Sequence, residues 1–242
     1  MIEIRRSADR GHLVESGLES WHTFSFGNYH DPEHMMFRQL RVLCEATLAP
    51  GTRHRNSAQH DMEILTYVLG GELQHRDGSG RLQHLGRGEM QRLSTAAGSQ
   101  HQIINASDHE PLKLFQIWIY PEVQGLPPGY QRLGGPVEIP ENSLRLVATR
   151  NGQSETLTVH QDTRMWLGKI CKGKEIRHAI DPGRQAWLQV LRGAIAIGTG
   201  ASDTARPSAA ELEAGDGVAI RFESHLRLYG FENAEIMLFE LV

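Results

Sequence analysis

The sequence predicts an all-β chain built as two tandem β-barrel or jelly-roll domains, and three observations carry that expectation. Composition is the first: 242 residues with 25 Gly and 10 Pro, 39% hydrophobic and 22% charged, is the make-up of a turn-rich globular protein. The second is that the apolar runs are short, enriched in Val, Ile, Thr and Tyr, and bounded by glycine-containing turns. The third is an internal echo. Trp187-Leu188-Gln189-Val190-Leu191-Arg192-Gly193 repeats the pattern of Ile64-Leu65-Thr66-Tyr67-Val68-Leu69-Gly70, and Gly215-Asp216-Gly217 that of Gly86-Arg87-Gly88. Two copies of one unit are the simplest account. The expected boundaries are an N-terminal domain over 1–122, a Pro/Gly-rich linker over 123–141 and a C-terminal domain over 142–242.

In chain order, Trp21 to Phe26 alternates toward Gly27-Asn28, which predicts a short strand and a tight turn. Met35-Met36-Phe37 reads as core, or else as a cover over the barrel mouth. Glu63 to Leu73 is a strand broken by a bend at Gly70-Gly71, and Leu73 to Leu85 is a hairpin about Asp77-Gly78-Ser79-Gly80. A turn at Gly86-Arg87-Gly88 leads into a strand over Met90 to Leu93. Leu112 to Tyr120 is apolar on both faces, as a strand covered on two sides should be. Pro127-Pro128-Gly129 and Gly134-Gly135-Pro136 break all periodicity and predict the linker. Gly198 to Pro207, rich in Ala, Ser, Thr and Gly, reads as a hairpin tip.

Several function classes are excluded or unsupported. The net charge is −4 with scattered basic residues, so direct nucleic-acid binding is not expected. There is no transmembrane run, and Met1-Ile2-Glu3-Ile4-Arg5-Arg6 lacks the apolar core of a secretion signal, which predicts a cytoplasmic protein without a membrane partner. Cys44 and Cys171 are read as two buried, reduced thiols in separate domains. No G-x-S-x-G, P-loop or Cys-x-x-Cys is present.

The organising stretch is 51–105. It reads Gly51, then Ser57-Ala58-Gln59, Glu63 and Gly70, and later Gly88-Glu89 and Ala96-Ala97-Gly98-Ser99-Gln100-His101-Gln102-Ile103-Ile104-Asn105. These halves resemble the two motifs of the cupin superfamily, with Ser-x-Gln in place of His-x-His. Trp21-His22-Thr23-Phe24-Ser25-Phe26, Asp31-Pro32, Leu40-Arg41-Val42, Asp61 to Leu69, Phe115 to Pro121 and Val159 to Asp162 together resemble the pirin family, whose members are bicupins. That resemblance implies two RmlC-like jelly-roll barrels.

The resemblance also implies a metal site of three His and one Glu, the Glu doubling as a base. Carried across residue by residue, those places are Ser57, Gln59, His101 and Ile103, so only His101 survives and the metal site is degenerate. Changes beyond the direct ligands already cost about 10–100-fold in metal affinity, so three lost ligands remove tight binding. A rebuilt set using His101 and Glu63 remains open, because 57, 59, 61 and 63 share a face if one unbulged strand carries them. His54 and His60 read as loop or surface residues; His22, His30 and His34 suggest no ligand set, and His225 has no partner pattern. The expectation is therefore a pirin-like bicupin, metal-free or weakly metal-binding, without a cofactor. It would have a small-molecule pocket in the N-terminal barrel or a regulatory role through a protein partner. The alternative is a metal-dependent quercetin 2,3-dioxygenase-like oxygenase using a divalent transition metal such as iron.

Overall fold

A computed structural model of the chain describes residues 1–57, 61–96, 98–200 and 210–242, and of residues 56 and 57 the backbone alone. Gln59 and His60, and the end of the expected hairpin tip at 201–207, lie outside the described residues. The chain divides into two units, both made of antiparallel strands.

One unit comprises Arg10–Val137 and Asn151–Gln161. Its larger sheet runs in the order Gly129–Arg132, Met90–Thr95, Met62–Gly70, Leu112–Ile119, Leu40–Leu48, Leu18–His22, Gly11–Glu15. Its smaller sheet runs Arg53–Ser57, Gln100–Asn105, Leu73–Arg76, Leu82–Leu85. Leu73, Leu85 and Ile103 from the small sheet pack in one core with Ile64, Leu114 and Trp118 from the large one, which makes the unit a jelly-roll barrel. The hairpin about Asp77–Gly80 forms as expected, Leu73–Arg76 pairing with Leu82–Leu85. The bend after Gly70 needs its glycine. Gly71 has φ +79°, and a Cβ there would lie 2.6 Å from the carbonyl oxygen of Pro111.

The other unit comprises Met1–Asp9, Glu138–Arg150 and Asp162–Val242. Its larger sheet holds, in order, Ile2–Arg5, Gly217–Ile220, Gln185–Arg192, Ala234–Leu241, Thr163–Ile170 and Ser143–Thr149. The smaller holds Glu175–Ala179, His225–Gly230, Ala194–Thr199 and Ala210–Glu213. Gly193, with φ +72° and a would-be Cβ 2.3 Å from the Asn233 carbonyl, repeats the bend of Gly71 one residue along from the echo seen in the sequence.

Four expectations change. The segment expected to be a linker contains the strand Gly129–Arg132, paired with Gln91–Ser94, because a backbone can complete a sheet edge without β-branched side chains. The boundaries at 122 and 142 give way to exchanged segments: the first strand belongs to the unit of the C-terminal residues, and 151–161 to the unit of the N-terminal ones. Cys44 is buried but Cys171 only partly so, since it stands one residue past the end of its strand; the two lie in different units. Of Met35-Met36-Phe37, Phe37 is core while Met36 is 45% exposed. Among the described residues, no helix is long and apolar enough to cross a membrane.

Candidate functional site

The barrel of Arg10–Val137 brings two rows of side chains face to face. In the small sheet, the alternation of Gln100–Asn105 turns His101 and Ile103 inward. Ile103 stands opposite His54 on one neighbour and His75 on the other, giving an inner row His54, Ile103, His75. In the large sheet Cys44 stands opposite both His22 and Gln116, giving a second inner row. A cavity of about 220 Å³ opens between parts of these rows, lined by His22, Cys44, Gln116, His54, Ile103 and Phe26 among others.

Every titratable group whose position is perturbed here is pushed toward its neutral form. Burial, with the Arg10 charge second, lowers His22 to about 4, and burial raises the Cys44 thiol to about 12. Burial lowers His75 to about 4, against a small opposing pull from Asp77. His101 falls to about 3 through burial and then the neighbouring His75 and His54. His22 Nε2 lies 3.0 Å from Ser20 Oγ and 4.0 Å from Cys44 Sγ, and its Nδ1 has no hydrogen-bond partner among the described residues. His75 Nε2 and His101 Nδ1 share a hydrogen bond of 3.1 Å, which leaves His101 Nε2 buried and unpartnered among the described residues. Such a lining can donate and accept hydrogen bonds around an apolar body. It offers no thiolate, and the carboxylate among its lining residues, Glu15, is exposed.

Glu63 does not join His101. Parity counts only along one continuous strand, and the chain changes sheets between Ser57 and Met62. Met62 and Ile64 therefore face the core, while Glu63, 1% exposed, faces the other way. Its Oε1 accepts hydrogen bonds from Ser94 Oγ at 2.8 Å and His160 Nδ1 at 2.9 Å, and Arg92 Nε lies 3.5 Å from its Oε2.

The positions implied for a metal can be tested on this geometry. Ile103 is 2% exposed and presents hydrocarbon; His101 has one ring nitrogen committed to His75. Ser57 pairs by backbone with Gln100, its side chain outside the described set, and Gln59 is outside it altogether. Among the described residues, no three His, Cys, Asp or Glu side chains group as a metal site. The two positions whose side chains are described supply a hydrocarbon and an imidazole with one ring nitrogen already committed, which does not fit a divalent transition ion. Sequence reasoning missed His75, His22, Cys44 and Gln116 as lining or supporting groups and placed His54 on the surface. The one local signal was the alternation of Leu73 and His75; the rest depends on cross-strand register.

Comparison with known proteins gives a consistent picture. Residues 3–119 match the family model described as Pirin, and residues 146–241 the one described as Quercetinase C-terminal cupin domain. The chain is 36% identical over 242 residues to a quercetin 2,3-dioxygenase of Escherichia coli K12, covering 100% of this chain and 99% of that one. It is 28% identical to a pirin-like protein of Caulobacter vibrioides, covering 98% of each. Among solved structures, the bacterial pirin YhhW of Escherichia coli in complex with nickel(II) superposes with a TM-score of 0.86 at 34% identity, covering 100% of this chain and 99% of that one.

Proposed function

The chain belongs to the pirin family of bicupins, and from that premise we propose that its N-terminal barrel binds a small, mostly apolar molecule without a tightly held metal, as a ligand pocket or as part of a regulatory protein. The observation that carries this reading is the buried Ile103, hydrocarbon at the place where the family resemblance implies a carboxylate that is both ligand and base. The cavity beside it supports the same reading, since its perturbed groups are all neutral. Neutral polar atoms on an apolar wall orient a ligand without the desolvation cost of a buried charge.

A second reading, a metal-dependent quercetin 2,3-dioxygenase-like activity, is favoured by the full-length relative of that name and by the nickel complex of YhhW. The two readings separate in one experiment. Nickel(II) titration by calorimetry, with oxygen uptake in the presence of quercetin, is run on wild type and on the triple variant Ser57→His, Gln59→His, Ile103→Glu. The first reading expects neither tight nickel binding nor oxygen uptake in wild type, and a gain of nickel binding in the variant. Quercetin-dependent oxygen uptake by nickel-loaded or iron-loaded wild type would establish the second reading instead. No gain in the triple variant would mean that residues 57, 59, 101 and 103 do not converge in this barrel.

A further inference from the structure

The outward face of the sheet whose inward face carries His54, Ile103 and His75 has a separate feature. Alternation that turns His101 and Ile103 in turns Gln100 and Gln102 out. Register then sets Arg55 directly opposite Gln102 on one side and Arg76 directly opposite it on the other. Neighbouring strands are about 4.8 Å apart, so two guanidinium groups rise from backbones about 10 Å apart with an amide between them. Both arginines are exposed, and neither has an ion-pair partner among the described residues.

A pocket of about 230 Å³ opens here, bounded by Arg55, Arg76, Gln100, His101, Gln102 and the turn at Asp77–Gly80. The turn is a firm wall. Asp77 Oδ1 accepts hydrogen bonds from the Ser79 N–H at 2.9 Å, the Arg81 N–H at 3.0 Å and the Ser79 hydroxyl at 2.6 Å. A Cβ added to Gly78 would lie 3.2 Å from the carbonyl oxygen of Gln100, so the turn packs against the strand that carries the glutamines. The one acidic residue on the pocket thus uses a carboxylate oxygen to hold its own turn, while two guanidinium forks and two amides remain to face a ligand. On a chain with net charge −4 this concentration of unpaired donors is local.

We propose that this pocket binds an oxyanion group, phosphoryl or carboxylate, of a small molecule. Arginine forks match the planar or tetrahedral oxygens of such groups, and the glutamine amides add neutral donors between them. The site needs no metal, and of its two arginines only Arg76 is confined to it, since Arg55 also borders the cavity inside the barrel. The probes are small anions whereas that cavity is proposed to take an apolar body, so failure or success here leaves the function proposed for the cavity untouched.

The test is calorimetric titration of the full chain with inorganic pyrophosphate and, separately, citrate, at low ionic strength. Wild type is compared with the double variant Arg55→Gln, Arg76→Gln and with Arg145→Gln, an exposed strand arginine of the other unit. The expected result is saturable one-to-one binding of at least one probe, weakened about tenfold or more in the double variant through loss of charge-assisted hydrogen bonds. Arg145→Gln should leave it unchanged, and added salt should weaken it. Preference for pyrophosphate assigns a phosphoryl group, and preference for citrate a carboxylate. Absence of saturable binding by both probes overturns the proposal, as does equal binding in the double variant or an equal loss in Arg145→Gln. Thermal melts check that the variants fold, and the single Arg76→Gln variant serves should the double one melt early.

Discussion

The interiors of the two barrels are built on matching sheets and filled in opposite ways. In the barrel of Arg10–Val137 the inner row His22, Cys44, Gln116 borders a cavity, and its perturbed groups are held neutral. In the barrel of Asp162–Val242 the inner row of Ala186, Glu240 and Arg164 lies beside that of Leu188, Leu238 and Trp166. Glu240 is 1% exposed, and its Oε1 accepts a hydrogen bond from His178 Nε2 at 2.7 Å. Arg164 and Arg184 stand 3.8 and 3.9 Å from its Oε2, and each is also paired, with Asp181 and Asp162 respectively. A charge inside a barrel persists only with partners around it. One barrel meets that condition with a network at the edge of a hydrocarbon core; the other keeps open space whose buried titratable groups, His22 and Cys44, are neutral.

The contrast can be broken from the neutral side by acid. His22, His75 and His101 have folded pKa values depressed from 6.5 to about 4, 4 and 3. Between those values and 6.5 the unfolded chain binds more protons than the folded one, so stability rises with pH across that window. Stability should be complete above about pH 6.5 and fall as pH drops toward 4, by up to roughly 1.4 kcal/mol per pH unit for each histidine. Denaturant midpoints at pH 7 and pH 5 measure this. Equal midpoints would show that the three imidazoles are not buried neutral.

From the charged side, Glu240→Ala leaves His178, Arg164 and Arg184 facing a gap without their carboxylate. The expected loss is about 3 kcal/mol, the usual scale for removing one member of a buried ionic cluster. Denaturant unfolding of the variant should show it. A loss below about 0.5 kcal/mol, the scale of an ordinary surface change, would mean that the network does not hold that barrel.

What could be read from the sequence divides along the line between local and non-local information. The hairpin at Asp77–Gly80, the bend after Gly70 and the repeated strand-and-turn pattern are written in adjacent residues, and all appear in the structure. The inner rows are not. His22, Cys44 and Gln116 come from three strands, and only their register places them in line. Glu63 shows the hazard of counting parity across an unseen change of sheet, since it faces Ser94 and His160 rather than the interior. Gly129–Arg132 shows another: its composition is that of a linker, yet backbone pairing alone makes it an edge strand. Of the implied metal positions, Ile103 lines the cavity and His101 is tied to His75, a partner signalled only by the weak alternation of Leu73 and His75.

On the proposed function, the N-terminal barrel keeps a cavity whose walls do not grip a cation. Elemental analysis of the protein purified without chelators tests it most directly. Well under one equivalent of iron, nickel, copper, zinc or manganese per chain is the predicted result. A full equivalent carried by wild type and lost in His101→Ala would contradict it.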